Sequence, residues 1–309
     1  MTGYLTDRTG RTTALPALLQ WRILLTDGDP CDSFSLRVLF VPELLSVLRE
    51  ACGFYATEGG KRVFTGVVDD YEVSMTKKGL LAEVTGRGMA AKLLDTQVRA
   101  AEYQSAQLAD ILNTYVTPCG VEVAGCDAMP PVGEFVVETG YTCWQVLAGF
   151  CRHSAGIFPR FSQSGELILQ RKGAEGELSI RNCAESVWLS DDRYAAVARQ
   201  IIVNTRNGNT QEADNTAFLE RGGSRVQVVG RTGTKVRAVW RTAEQRIEDA
   251  ARNSFLLSVR IPGAFLAAPT QTVRVQLDAL GLDGMYQVRS AESVCDENGN
   301  TCLLTMRVL

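Results

Sequence analysis

The stretch VFTGVVDDYEVSMTKKGLLAEVTGRG, from Val63 to Gly88, decides how the first third of this 309-residue chain is read. It sets two adjacent carboxylates, Asp69 and Asp70, between glycine-bounded apolar runs. Paired acids can do general acid/base work or hold a divalent cation. In an extended strand, however, successive side chains point to opposite faces, so the two acids look away from each other unless a bulge intervenes. Val63, Thr65, Val67 and Asp69 fall on one face, and Phe64, Gly66, Val68 and Asp70 on the other. A polar TKKG turn and a returning LLAEVTG complete a hairpin. Strand and turn therefore outweigh catalysis as the reading of this pair.

Working outward, WRILLTD from Trp21 and SFSLRVLF from Ser33 are further strands, with Gly, Asp and Pro between them. PELLSVLREAC has Pro42 at a first-turn position and Leu44, Leu45 and Leu48 on one side, a short amphipathic helix over one end of the sheet. Several short strands capped by one helix predict a small barrel over residues 1–97, which also removes exposed sheet edges.

From about residue 98 the period changes. SAQLADILNTYV places Leu108, Ile111, Leu112, Tyr115 and Val116 in one helical stripe that stops at Pro118 and Gly120. In TCWQVLAGFCRHSAG, Thr142 and Gln145 have capping-box spacing, Trp144, Leu147, Ala148 and Cys151 form the stripe, and Gly156 closes the helix. With strands EFVVETG, IFPRFS and ELILQRK around it and QSGE as a turn, a compact α+β unit is expected over residues 98–185.

The remainder, residues 186–309, returns to β, and TKVRAVWR is among its strand candidates. TAEQRIEDAARNSFLL is its one strong helix: Thr242 and Gln245 repeat the capping-box spacing, and Ala243, Ile247, Ala250, Ala251 and Phe255 make a stripe of mostly small residues. Thr205 to Gly223 is polar and glycine-punctuated, either a mobile loop or long hairpin tip that a partner orders, or an excursion without consequence. The basic run Arg221, Arg225, Arg231, Lys235, Arg237, Arg241 and Arg246 puts Arg225, Arg231, Lys235 and Arg237 on one face if a tight turn near Gly233 keeps register. Such a face suits an acidic partner surface or a lining that nucleic acid passes; a solvated strand face is the simplest account.

Composition narrows the classes. With 45% hydrophobic residues the chain can bury a large core, and a net charge of -3 gives no general attraction to nucleic acid or anionic membrane. The start lacks a signal-peptide pattern, and no apolar run approaches the roughly 20 residues of a membrane span, so a cytosolic life after synthesis is expected. Nine cysteines without a C-x-x-C pair fit reduced, packed thiols; Cys295 and Cys302, flanking the turn signal DENGN, are the one pair placed to face each other across a hairpin, and free thiols are expected there too. The single His153, in CRHSAG near a helix end, limits Cys/His or Ser/His chemistry to itself. No P-loop, H-E-x-x-H, G-x-S-x-G or EF-hand pattern occurs, and GRGMAAKLL reads as a turn feeding a short helix.

The order of these pieces, with FTG, then VTGRG before a short helix and LLD, then GYTCWQVL before a glycine-ended helix, resembles the baseplate hub proteins of contractile phage tails. That group takes in the Mu-like tail hub, late control protein D and the N-terminal part of type VI spike proteins. The resemblance implies a mostly β, α+β chain: two small β-barrel domains flanking a small α+β domain. It implies a homotrimer whose paired barrels form a ring of approximate sixfold character between a hexameric tail tube and a trimeric spike. Expected partners are further copies of itself, the tube or tube-initiator protein, the central spike and other baseplate proteins, with nucleic acid only as a passenger through the ring. No enzyme activity, cofactor or metal is implied, and the expected location is the virion tail baseplate, assembled in the host cytoplasm. Because the chain ends at Leu309 without a lysozyme or spike segment, wall cleavage and membrane piercing are assigned to other chains. Interface candidates are Ala250, Ala251, Phe255, Arg225, Arg231 and Arg237. The rival readings are a tail-associated wall hydrolase using Asp69 or Asp70, or Cys151 with His153, and a glycan-binding module.

Overall fold

The computed structural model describes residues 1–28, 31–77, 79–176 and 178–308; the expected turn residue Lys78 and the final Leu309 lie outside them. The Val63–Gly88 stretch forms the expected antiparallel hairpin, Lys61–Thr76 against Gly79–Gly88. The register slips between Val68 and Asp70, so a bulge at Asp69 does intervene. The glycines beside it are required by space. A Cβ on Gly86 would lie 2.0 Å from the Val67 carbonyl oxygen and 2.6 Å from the Phe34 ring, and one on Gly66 would lie 2.1 Å from the Arg87 carbonyl oxygen. The coiled strands of the FTG and VTGRG segments approach too closely for any side chain there.

Two separate barrels do not form. Strands from both ends of the chain share one thirteen-stranded sheet, and among the described residues no sheet closes on itself. The fold is still α+β and mostly β. The seam is the antiparallel pairing of Leu18–Thr26 with Leu282–Asp296, from Trp21 opposite Cys295 to Thr26 opposite Ser290. Leu282–Asp296 makes this possible because its register slips between Val288 and Ser290. Before the slip its free edge pairs with Thr272–Leu277, and after it with Leu18–Thr26. A bulge bends a strand and re-aims its edge, so one strand serves two partners in succession. Alternation in sequence reports a buried face, not the partner across an edge.

Three apolar cores sit on this frame. In the first, Phe34, Phe54 and Phe64 pack with ring centroids 4.2–6.0 Å apart. Helix α1 (Leu44–Glu50) lays Leu44 and Leu48 over it and runs directly into the strand Ala51–Glu58. Trp21 closes the seam side, stacked at 5.2 Å on Phe265 from a loop of the C-terminal third. Helix α2 (Ala91–Leu94) is the short helix expected after VTGRG.

The middle core is built by α3 (Leu108–Ile111), which widens into a π-type turn, Leu112–Val116, and by α4 (Cys143–Ala155). The capping box of α4 is present: Thr142 Oγ1 accepts the Gln145 N–H at 3.1 Å, Gln145 Oε1 accepts the Thr142 N–H at 2.9 Å, and Gly156 ends the helix at φ 66°. Its stripe is rotated from the expected one. Val146, Leu147, Phe150 and Cys151 face the core, whereas Trp144 and Ala148 are half-buried along a cleft. Val236–Arg237, expected in the C-terminal third, pairs in parallel with Phe135 and Val136 of the middle sheet, and Ala238 joins the middle core.

The segment 205–223 is ordered. Thr210–Asp214 pairs with Arg199–Asn204, and α5 (Thr216–Glu220) follows with Asn215 Oδ1 accepting the Phe218 N–H at 3.1 Å. Helix α6 (Ala243–Ser254), capped by Thr242 and Gln245 as expected, packs between these strands and Phe255–Pro262. The third core contains Leu257, Val259, Val273, Val275, Leu304 and Met306. All nine cysteines are free, and Cys295 lies opposite Asn300 while Cys302 lies opposite Ser293, so the two do not face each other.

Asp32 lies under the bulged hairpin. Its Oδ1 accepts the Thr26 N–H at 2.6 Å, and its carbonyl accepts the Gly88 N–H at 2.7 Å. Burial raises its carboxyl to about 7, against 3.8 ordinarily, and the Thr26 hydrogen bonds only partly offset this. Because the folded form holds the proton more tightly, this group's contribution to stability is full below about pH 4 and falls as pH rises towards 7. Asp32→Asn, which keeps the acceptor, is expected to flatten that slope in denaturant titrations at successive pH values; an unchanged slope would contradict the assignment.

Candidate assembly surface

The adjacent acids are scaffold. Asp69 receives both Nε and Nη2 of Arg87 at 2.7 and 2.8 Å, while Asp95 receives Nη1 and Nη2 at 2.9 and 2.8 Å. The hydrogen bonds to Asp69 and then Asp95 raise the Arg87 pKa, and those from Arg87 lower that of Asp95. The bulge thus turns Asp69 onto an arginine that ties the hairpin to the residue after α2.

Cys151 and His153 make no dyad. Two residues apart on α4, they point roughly 200° from each other around the helix. Cys151 is buried in the middle core, which pushes its thiol up. Burial, and then the Arg241 cation, pushes His153 down to about 4, leaving its imidazole neutral at pH 7.

The basic run does not share one face. It crosses from the strand Val226–Arg231 in a small sheet to Val236–Arg237 in the middle sheet. Arg225 donates to the Tyr194 carbonyl and lies over its ring. Arg231 donates to the carbonyls of Thr234 and Lys235 at 2.7 and 2.8 Å. Lys235 pairs with Glu102 at 2.6 Å and Arg237 with Glu138 at 3.0 Å. Ala250 is half-buried and Ala251 exposed on α6. Phe255 is not helical; it opens the strand Phe255–Pro262 and packs on the third core.

Two apolar surfaces lie outside those candidate residues. At the far end of the hairpin, Met75 is 83% exposed and Leu80 faces it across the register, with Leu39 and Val41 exposed nearby. Their signal was the apolar residues on both sides of TKKG, where a solvated tip carries polar ones. At one edge of the large sheet, Ser186–Asp191 pairs, among the described residues, with Phe255–Pro262 alone and exposes Trp188 and Leu189 by half. An apolar strand at an open edge is a ready template for another chain. VWLS, unbroken by alternation, was its signal.

Known structures share this arrangement. The 43 kDa tail protein of prophage MuSo2 from Shewanella oneidensis superposes with a TM-score of 0.78 over 100% of this chain and 98% of its own, at 17% identity. The chain has a phage tail-protein fold. A tail protein from Neisseria meningitidis MC58 shares the tail-protein fold equally, TM-score 0.78 over 99% and 95% at 17% identity. An Escherichia coli type VI secretion component, c3393, shares it at TM-score 0.58 and 12% identity over 94% and 73%. No family model and no curated relative matches the sequence. At these identities the likeness is one of backbone, carried by few common side chains.

Proposed function

We propose that the chain is a structural hub of a phage-tail-type baseplate, a homotrimer whose ring joins a tail tube to a central spike, without enzymatic activity of its own. The observation that carries this is the superposition on a prophage tail protein over nearly the full length of both chains. The chain then divides into units 1–97, 98–185 and 186–309, and the three cores support that division in the main: Leu93 of the first unit joins the middle core, Ala264, Phe265 and Cys295 of the third pack on the first core, and Val236–Ala238 is a strap from the third unit onto the second.

Two features support paired, similar halves in a ring. In each end unit a helix runs straight into a strand, Glu50 into Ala51 and Ser254 into Phe255. Each end unit also carries a long hairpin whose first strand bulges, at Asp69 and at Arg289. The hairpin tip around Met75 and the edge strand around Trp188 supply apolar surface for contact with neighbouring copies, the tube or the spike; Ala251 and Arg225 are secondary candidates. A stable ring needs upward of about 1,000 Å² buried at each subunit contact.

Light scattering of the purified chain is expected to give about three times the 33.7 kDa chain mass. Met75→Glu combined with Leu80→Glu is expected to shift it to monomer while leaving the melting temperature within a few degrees, since both side chains are exposed. A wild-type chain that stays monomeric at high concentration would overturn the proposal.

A further inference from the structure

A cleft of about 550 Å³ lies where the three units meet. Asp27 enters from the end of the Leu18–Thr26 strand, Arg152 from α4, Arg241 and Arg252 from α6 and its approach, and Arg289 from the second bulge. Among the described residues, four guanidinium groups and the carboxylates Asp27 and Asp249 line it, and Glu248 reaches Arg152 from beside it.

The pairing inside is incomplete. Arg252 Nη2 binds Asp27 Oδ2 at 2.6 Å, and Arg152 Nη1 binds Asp249 Oδ1 at 2.6 Å, with Glu248 3.5 Å from Arg152 Nη2. Arg241 reaches the same Asp249 only at 3.7 Å. Both Arg152 and Arg252 also lie over one ring, Phe158, at 4.3 and 3.7 Å from its centre. Two polar atoms are buried without a hydrogen-bond partner: Arg252 Nη1, a donor, and Asp27 Oδ1, an acceptor on a side chain only 3% exposed. The Arg252–Asp27 charges are matched, but a buried donor and acceptor left without hydrogen bonds are costly, so a cluster of this kind gains by taking up an anion that supplies both.

The surrounding groups respond to the same excess. Burial and then Arg152 lower Arg241, burial and then Arg252 lower Arg307, and His153 is pushed down to about 4 by burial and then Arg241. Asp249 and Asp27 act in the opposite direction on Arg241 and Arg307, as does Glu248 on Arg307, without cancelling the effect.

We propose that this cleft binds a protonated phosphate-type oxyanion, whose oxygens accept from the arginines and whose remaining P–OH donates to Asp27 Oδ1. A hydrogen-bearing anion is the class that satisfies an unpaired donor and an unpaired acceptor together. Sulfate, which carries no proton near neutral pH, meets Asp27 as a like charge and is selected against. Bound there, phosphate joins the seam strand, α4 and α6 and fixes the three units relative to one another.

Calorimetric titration of the 309-residue chain at pH 6 and constant ionic strength tests this with inorganic phosphate and with glycerol 1-phosphate, which separate the free ion from a phosphomonoester; at that pH about half of the monoester still carries a P–OH. Saturable binding of either, with a Kd of about 1 mM or below and sulfate at least about tenfold weaker, is expected. Arg241→Gln should weaken binding about tenfold and Arg241→Lys should restore part of it. Absence of saturable binding by both phosphates, or equal binding of sulfate, would overturn the proposal. The wild-type comparison of phosphate with sulfate decides the matter even if Arg241→Gln fails to fold.

Discussion

Replacing Gly86 by alanine is expected to destabilise the protein by about 3 kcal/mol or more, because the added Cβ meets backbone. It would sit 2.0 Å from the Val67 carbonyl oxygen and 2.6 Å from the Phe34 ring. A flexible side chain could swing away; a carbonyl in the ladder of a bulged hairpin moves only by breaking pairing with its neighbour. Phe34 is itself locked between Phe54 and Phe64 in the first core. Gly53→Ala in the same sheet is the matched control. Its Cβ would find its nearest neighbour, the Thr6 Cβ, at an ordinary 3.5 Å, so a change below about 1 kcal/mol is expected. Chemical denaturation of the two variants gives the comparison directly, and equal midpoints would contradict the close-approach account of the VTGRG glycine.

Trp21→Ala is expected to cost about 3–5 kcal/mol, the usual range for emptying a buried aromatic site. Trp21 is 6% exposed, pairs with Cys295 across the seam, and stacks on Phe265 from the far end of the chain. The effect should not stay local. Since Leu18–Thr26 and Leu282–Asp296 lie in one sheet, amide exchange is expected to speed up on both strands in the variant. Acceleration confined to the first hundred residues, with an unchanged C-terminal third, would show that the two ends unfold as independent units and that the seam carries little energy.

Local signals in the sequence are legible where a few neighbouring residues settle the outcome. The capping boxes at Thr142 and Thr242, the glycine end of α4 and the hairpin turn after Asp296 all need only side-chain chemistry within a few residues. What escaped the sequence depends on distant partners. A bulge of one residue at Arg289 hands a strand from Thr272–Leu277 to Leu18–Thr26, and no periodicity marks that exchange. Val236–Arg237 has strand character but is too short to announce that its partner lies about a hundred residues earlier. In α4, Trp144 and Ala148 are apolar enough to be taken for core, yet they line a cleft because Gly149 brings the opposite face against Ala238, whose carbonyl oxygen would lie 2.0 Å from any Cβ there. The acid pair was legible as scaffold, but its partner Arg87 was not, since the bulge that turns Asp69 onto it is a product of sheet coiling. Candidate interface residues were the least legible part: the arginine run is engaged within the chain, whereas Met75 and Trp188 stand out only once burial is known.

The most direct test is an image reconstruction of an assembled tail particle containing this chain. The proposed role requires three copies in a single ring, between the last tube ring and the spike, with the hairpin tips around Met75 or the edge strands around Trp188 in contact with neighbouring chains. The chain found outside the tube axis, or in a copy number that is not three, would contradict it.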